Sequence, residues 1–157
     1  MISYGAKAAF RRTSTQVRGG VRLDAEGVHK QVVSAWQARD WDRLRALLHP
    51  KGTFESTAAG GFVDAEDLVG SLAAADRTVD SVYGLTYEKV SNDFVLAMGC
   101  VRHLGEGGDS LSRAVWLVET RDGLAYRSTP FDTRESALAE HERRCAPAPA
   151  PHDIAAA

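Results

Sequence analysis

Residues 35–56 read AWQARDWDRLRALLHPKGTFES, and this stretch decides the fold. Its first residues complete an amphipathic helix, and Asp40 then stands where an aspartate side chain caps the first turn of a second helix. Pro50 disfavours helical geometry at His49, so the second helix is predicted to end there. Residues 53–56 follow as a predicted strand. The stretch therefore predicts two helices that run directly into a strand.

Three other aspartates stand where helices are predicted to begin. Asp24 is predicted to cap the first helix, and Asp64 the third, which follows a small Gly-rich loop. Asp132 is predicted to cap a last helix that ends near Arg144, because Glu135 stands at the capping-box position. The apolar residues of the first helix recur at helical spacing and predict one buried stripe, formed by Val28, Val32, Ala35 and Trp36.

From residue 79 onward the hydrophobic period changes from helical spacing to two. Four segments with this alternation are predicted to be long strands: VDSVYGLTYEKV, DFVLAMGCVRHL, SLSRAVWLVET and GLAYRSTPF. Tight-turn residues join them at Ser91-Asn92, in the GEGG run and at residues 121–123. The GEGG run leads into no predicted helix, so it lacks the helix N-terminus of a phosphate site and is predicted to be a hairpin turn. Consecutive hairpins predict an antiparallel sheet.

The predicted order ααβαββββα, together with the segments AWQARDWD and GTFES, resembles the nuclear-transport-factor-2-like superfamily. That superfamily includes SnoaL-like polyketide cyclases and ketosteroid isomerases, and FDTRESALAE resembles a C-terminal extension common in SnoaL-like sequences. The resemblance implies a cone-shaped, cystatin-like α+β fold in which a curved antiparallel sheet wraps around the N-terminal helices. It also implies one enclosed apolar pocket, and a homodimer formed through the outer face of the sheet.

Length and composition are consistent with one domain of this kind. The chain has 157 residues, of which 44% are hydrophobic and 25% are charged, as in an ordinary globular protein. Residues 1–22 contain five Lys or Arg residues and no acid, so the net charge of −2 leaves the remainder acidic, which disfavours nucleic-acid binding. Residues 23–144 are predicted to form the SnoaL-like domain, between a basic disordered leader (1–22) and a Pro/Ala-rich tail (145–157).

Residues 1–22 and the two cysteines indicate the cellular compartment in which the protein is expected. Residues 1–22 lack the apolar core of a secretory signal, and we interpret them as a flexible basic tail, although their composition is also typical of an organellar transit peptide. No apolar run approaches the ~18 residues that span a bilayer, so no membrane contact is expected. Cys100 and Cys145 are expected to remain reduced, which favours a cytoplasmic protein.

The first long hairpin predicts which side chains share a face of the sheet. Pairing across its turn places odd-numbered residues of one strand beside even-numbered residues of the other. One face then carries the bulky side chains Tyr83, Leu85, Tyr87, Phe94, Leu96, Met98, Cys100 and Arg102. The other carries Val82, Gly84, Thr86, Glu88, Val95, Ala97, Gly99, Val101 and His103. Because a ligand cavity needs bulk around it, the first face is predicted to line the pocket and the second to pack outward.

Arg102 is the charged residue of this predicted pocket face. A buried guanidinium needs a partner, so Arg102 is expected either to pair with a carboxylate of the protein or to contact an anionic group of a ligand. Arg102, Tyr87 and Asp132 are the candidate catalytic residues. The candidate substrate-binding residues are Trp36, Phe54, Ser56, Tyr83, Tyr87, Met98, Arg102 and Trp116.

The catalytic residues that the resemblance implies are not present as a set. Ketosteroid isomerases use a strand aspartate as base and a helix tyrosine as hydrogen-bond donor, and the matching positions here hold Ser56 and Val32, so that chemistry is rejected. The acid of SnoaL-like cyclases is matched only by Glu119 near a turn or by Asp132. For the Asp-Arg-Asp cluster of limonene epoxide hydrolases, Arg102 or Arg113 supplies an arginine, but no pair of strand carboxylates accompanies it.

Three functional hypotheses remain open at this point. The domain binds an oxygenated apolar molecule and acts on it as an isomerase, cyclase or hydrolase; it carries or senses such a ligand without turnover; or it is a homodimeric partner-binding domain with a filled interior. No histidines or cysteines have metal-ligand spacing, so no metal and no cofactor are expected. The expected partners are a small molecule and a second copy of the chain.

Overall fold

The computed structural model describes residues 22–56, 61–74, 79–103 and 108–147. In chain order the elements are α1 (Ala25–Gln37), α2 (Trp41–Leu47), β1 (Leu48–Ser56), β2 (Gly61–Val63), α3 (Ala65–Ala74), β3 (Val79–Lys89), β4 (Phe94–His103), β5 (Ser110–Arg121), β6 (Leu124–Phe131) and α4 (Arg134–Cys145). The predicted leader up to residue 21, the tail from residue 148 and most of the predicted GEGG turn lie outside the described residues. None of the described helices is long and apolar enough to cross a membrane.

The six strands form one curved sheet in the order β2-β1-β6-β5-β4-β3, and the predicted α+β class is confirmed. The strands β3 to β6 pair antiparallel with their neighbours in sequence, as the hairpins predict. β1 instead lies parallel to β6, so the sheet is mixed, and the prediction of a wholly antiparallel sheet is wrong. A two-residue hairpin would force the two strands to be antiparallel. Because β2, α3 and β3 to β5 lie between β1 and β6 in the chain, these two strands can pair in parallel.

Aspartates begin the first three helices as predicted, and a threonine begins the fourth. Asp24 accepts a hydrogen bond from the backbone N–H of Gly27 at 3.0 Å, and Asp40 and Asp64 make equivalent bonds at the starts of α2 and α3. At α4 the cap is Thr133, whose hydroxyl accepts from the N–H of Ser136 at 3.1 Å. The prediction that Asp132 caps this helix is therefore wrong by one residue, and its carboxylate is left free of that role.

Two helices cover opposite faces of the sheet. The N-terminal end of α1 packs, through Ala25, on the face that carries Val95, Ala97 and Val118, which we call the inner face. Helix α4 packs through Ala137 on the opposite, outer face, where Leu96 and Leu117 are fully buried. A further apolar cluster joins α1, α2 and α3 to the sheet at β1 and β6, and its buried members are Val28, Ala35, Leu44, Leu48, Phe54, Ala65, Val69 and Ala125.

A bulge in β3 changes which of its residues face inward. Tyr83 pairs with Cys100, as the predicted register requires, but beyond the bulge Thr86 pairs with Met98. Gly84 lies between them with φ of +60°, a conformation that glycine adopts at no steric cost. Across the hairpin, a Cβ added at Gly99 would lie 2.9 Å from the carbonyl oxygen of Tyr83, so the close approach of the strands needs glycine there. The predicted register therefore holds before the bulge and fails after it.

Candidate functional site

A cavity of about 720 Å³ lies between the inner face of the sheet and helices α1, α2 and α3. The helices contribute His29, Val32, Val33, Trp36, Leu44, Leu68 and Leu72, and the sheet contributes Glu55, Val82, Leu85, Val101, Ser112, Arg113, Ala114, Trp116, Ser128, Pro130 and Phe131. Asp132 and Ser136 complete the lining at the junction of β6 and α4. Most of these side chains are apolar, which is typical of a pocket for a small organic molecule.

The apolar wall follows from the periodicity of α1 and from the small residues of the sheet. Val32 and Trp36 are four residues apart in α1 and therefore lie on one side of the helix, toward the sheet. Trp116 in β5 and Pro130 in β6 are direct partners in the antiparallel ladder, so they share the inner face. Ala114 stands opposite Gly99, and the small volume of this pair leaves room beneath the helices.

His29 brings an imidazole to the wall of the cavity. Its Nδ1 lies 3.2 Å from the hydroxyl of Tyr87, and the two rings meet edge to face with their centroids 5.7 Å apart. Burial lowers the pKa of His29 to about 4, so the imidazole is neutral at physiological pH. Burial also raises the pKa of Tyr87, and the nearby carboxylate of Glu26 adds to that effect. The pair is therefore a neutral hydrogen-bonding unit.

Exposed polar residues mark the rim of the cavity, which opens to solvent rather than being enclosed. Ser112, Asp132 and Ser136 line the cavity and are exposed, as is Glu55. Asp132 has no hydrogen bond or ion pair to any residue that the structure describes. Arg113 borders the same rim, although its pairing with Cys100 puts it at an outer-face position of the ladder.

Among the residues that the sequence predicted for the site, Trp36, Trp116 and Asp132 line the cavity. Tyr87 faces inward and contacts His29, but it lies behind the cavity wall. Phe54 is only 2% exposed and belongs to the apolar cluster of the helices, so it fills the core and does not line the cavity. Ser56 ends β1, opposite Gly61, and its side chain lies outside the described part of the molecule.

The structure corrects the predicted pocket face. Tyr83, Met98 and Arg102 belong to the outer face, because alternation along β4 turns Ala97, Gly99 and Val101 toward the helices. Arg102 donates to the carboxylate of Asp109 through Nε at 3.0 Å and through an Nη nitrogen, and it is also hydrogen-bonded to Tyr83. Both contacts raise the pKa of Arg102 above its ordinary value. Its charge is thus paired within the protein and points away from the cavity.

Glu119, the other candidate acid, also lies on the outer face of the sheet. Its carboxylate lies 3.9 Å from a guanidinium nitrogen of Arg144 in α4, which also binds Glu140 at 2.7 Å. The same guanidinium donates to the hydroxyl of Thr129 at 3.1 Å. These contacts hold α4 to the sheet, so Glu119 has a structural partner and no place in the cavity.

His29 is the site residue that the sequence analysis missed. It stands three residues before Val32 and seven before Trp36, which is the spacing of residues on one helix face. That spacing alone identifies His29 as a member of the buried stripe. Its partner Tyr87 is 58 residues away in sequence, so the contact itself follows only from the fold. Within the described residues, no group of three His, Cys, Asp or Glu side chains could hold a metal ion.

Comparison with known proteins gives a consistent result for the fold. No family model and no curated protein matches the sequence. A candidate polyketide cyclase from Pseudomonas putida KT2440 is similar in structure, with a TM-score of 0.59, 14% identity, and coverage of 72% of this chain and 94% of that one. A protein of unknown function with a cystatin-like fold from Xanthomonas campestris has a TM-score of 0.59, 18% identity, and coverage of 74% and 98%.

A third similar structure contains a bound ligand. It is a Mycobacterium tuberculosis protein in complex with estradiol-17β-hemisuccinate, with a TM-score of 0.57, 14% identity, and coverage of 71% of this chain and 95% of that one. At these identities the likeness shows the fold alone. The fold that the sequence resemblance implied is thereby confirmed.

Proposed function

Because the chain has the nuclear-transport-factor-2-like, cystatin-like α+β fold, we propose that it binds an apolar, oxygen-bearing small molecule in the cavity under α1. The observation that carries this proposal is the cavity of about 720 Å³ with an apolar wall, a neutral His29 and a polar rim. This volume lies within the range of pockets that take drug-sized ligands. The mycobacterial structure with a bound steroid ester supports a ligand of similar size and polarity.

Ligand binding without turnover is supported better than catalysis. A neutral imidazole with a pKa of about 4 is a weak base, and the cavity carboxylates Glu55 and Asp132 are both exposed. If a substrate is turned over, Asp132 is the acid–base candidate, since it lines the cavity and has no partner among the described residues. Asp132→Asn should then abolish turnover and leave binding intact.

The binding proposal is tested by thermal unfolding and by tryptophan fluorescence with estradiol-17β-hemisuccinate as the probe. A ligand at 100 times its Kd stabilises the native state by about 2.7 kcal/mol, which raises the Tm by a few degrees. Trp36 and Trp116 line the cavity, so their emission should change on binding. Absence of both responses at probe concentrations up to its solubility limit would contradict the proposal for this class of ligand.

A matched pair of variants assigns the response to the cavity. Ala114→Trp places an indole inside the cavity and should eliminate the probe's effect. Ala139→Trp makes the same substitution at an exposed position of α4 that does not line the cavity, and should leave the effect unchanged. Equal loss in both variants would show that the probe acts elsewhere.

The outer face supports a second function, self-association. Tyr83 and Leu111 are 46% and 66% exposed, and they lie on the part of the outer face near Arg102 and its partner Asp109. Exposed apolar residues grouped on one face are typical of an interface. We propose that two copies of the chain meet there. Light scattering should give the mass of a dimer, and Leu111→Glu should reduce it to that of a monomer.

A further inference from the structure

The interior of the cavity contains few polar groups, which limits what it can recognise. Of the polar side chains that line it in the described residues, Glu55, Ser112, Arg113, Asp132 and Ser136 are exposed at the rim. His29 and Ser128 are partly buried, as are Trp36 and Trp116, whose indoles each carry one N–H donor. A few placed polar groups in an apolar pocket fix the orientation of a ligand and select it.

The hydrogen bond to Tyr87 leaves one nitrogen of His29 for a ligand. Tyr87 engages Nδ1, and no residue that the structure describes engages Nε2. If the tyrosine hydroxyl donates to Nδ1, the proton of the neutral imidazole is on Nε2; if Nδ1 donates to the tyrosine, Nε2 is an acceptor. A ligand hydroxyl can complement Nε2 in either state, because it both donates and accepts.

Charge disfavours an ionised ligand group at this end of the cavity. The imidazole is neutral, and the nearest cation on α1, Lys30, is paired with Glu26 at 2.6 Å. A carboxylate beside His29 would lose its hydration among Val32, Val33 and Trp36 without gaining a counter-charge, at a large cost in free energy. A charged group of the same ligand remains hydrated only at the exposed rim.

We propose that His29, through Nε2, selects a ligand that carries a neutral hydroxyl at the α1 end, with any anionic group at the rim near Arg113. Tyr87 acts as a positioning residue, since its hydroxyl holds the imidazole by Nδ1 at 3.2 Å. This inference rests on the proposed ligand-binding function and adds to it the chemical group that is recognised and the direction in which the ligand lies.

The test is a titration calorimetry comparison of two probes, estradiol-17β-hemisuccinate and its 3-deoxy analogue. Both carry the carboxylate at one end of an apolar body, and only the first has a hydroxyl at the other end. The wild-type protein should bind the hydroxyl probe about tenfold more tightly, the contribution of one buried hydrogen bond. His29→Phe should abolish this preference and should bind the deoxy probe at least as tightly as the wild type does.

Control variants separate recognition from general damage to the cavity. His141→Phe makes the same substitution on α4, at a residue that contacts Phe94 and does not line the cavity, and should keep the tenfold preference. His29→Gln retains a hydrogen-bonding side chain and should restore part of the preference. Tyr87→Phe should reduce the preference and leave the affinity for the deoxy probe unchanged, which a purely structural role of Tyr87 would not do.

The possible outcomes distinguish this inference from the function on which it rests. Binding of both probes with no preference, or a preference that persists in His29→Phe, overturns the role of His29 and leaves ligand binding intact. Binding of neither probe to the wild type overturns the proposed function for these ligands, and with it the inference. If His29→Phe fails to fold, His29→Gln and Tyr87→Phe decide, and an unchanged preference in both overturns the proposal.

Discussion

The two faces of the sheet differ in how closely their side chains are packed, although the same strands form both. On the outer face, large side chains such as Leu96 and Leu117 are fully buried beneath α4, whose residues Arg134 and Arg144 form ion pairs with Glu88 and Glu140. On the inner face, small residues such as Ala114 and Gly99 leave a cavity beneath α1 and α3. Bulky side chains fill the space in front of them, whereas small ones leave it open. In this molecule the pocket therefore belongs to the face with less bulk.

The largest expected effect comes from truncating a core residue of the outer face. Leu96→Ala should lower the free energy of unfolding by about 2–5 kcal/mol, because Leu96 is fully buried in close packing. Leu85→Ala should cost less, since Leu85 already borders an open cavity. Urea unfolding of both variants measures the difference. Equal costs would show that the cavity wall is packed as tightly as the core beneath α4.

A change of pH should destabilise the inner face through His29. The pKa of this histidine falls from its ordinary value of 6.5 to about 4 on folding, so the unfolded chain binds the proton more readily. The free energy of unfolding should therefore be constant above pH 6.5 and fall by about 3 kcal/mol as the pH decreases toward 4. Chemical denaturation at a series of pH values measures this decrease.

The matched variant is His29→Phe, which should lack the loss of stability between pH 6.5 and 4. Glu140 of the outer face serves as an internal comparison, because Arg143 and Arg144 lower its pKa from 4.5 to about 2. The contribution of Glu140 to the free energy of unfolding is lost only as the pH falls below about 4.5. The outer face is therefore expected to lose stability at lower pH than the inner face. A profile unchanged by His29→Phe would mean that this imidazole is not buried as described.

The bulge that divides β3 between the two faces should depend on Gly84. Gly84→Ala should cost about 1–2 kcal/mol, because φ of +60° is strained for a residue with a Cβ, while nothing within 4 Å blocks the added methyl group. Gly70→Ala, in the exposed middle of α3, should instead stabilise the protein by up to about 1 kcal/mol. Thermal unfolding of both variants tests the contrast, and a neutral Gly84→Ala would contradict the bulge.

The smallest effect is expected for Arg102. Arg102→Ala removes an exposed ion pair with Asp109 on the outer face, so stability should change little and probe affinity should not change at all. Trp36→Ala, on the cavity wall, should weaken binding of the same probe. Calorimetric titration of the two variants makes the comparison. A loss of probe binding in Arg102→Ala would show that Arg102 contributes to the ligand site.

The helices and the long strands could be predicted because caps and hydrophobic periods are local signals, and the fold followed from the resemblance of the element order and of the segments AWQARDWD and GTFES to a known superfamily. The face of the pocket was not predictable in this way, since the alternation of β3 reverses at a bulge that Gly84 alone does not reveal. The predicted cap of α4 is Asp132, whereas the observed cap is Thr133. Both residue types are good caps, and only the backbone geometry distinguishes the two positions. The contact of His29 with Tyr87 depends on the packing of α1 against β3.

Two of the aromatic residues that line the cavity were predicted from the sequence, whereas the polar residues that determine its chemistry were not. Trp36 was predicted from the helical period of α1, since large apolar residues on a buried stripe face the interior. Trp116 was predicted as an aromatic side chain of the sheet, which is usually part of the core or the pocket wall. The position of Arg102 could not be predicted from the bulk of its neighbours, because α4 covers part of that face and Asp109 pairs the charge. The position of a covering helix is a tertiary property, and no local pattern specifies it.

A crystal structure of the protein grown with estradiol-17β-hemisuccinate tests the central claim most directly. The predicted result is ligand density between α1 and the inner face, in contact with Trp36 and Trp116, with the carboxylate at the rim and the outer face unchanged. Density confined to the outer face, or an empty cavity in crystals grown at a probe concentration that saturates binding in solution, would contradict the claim that this cavity is the binding site.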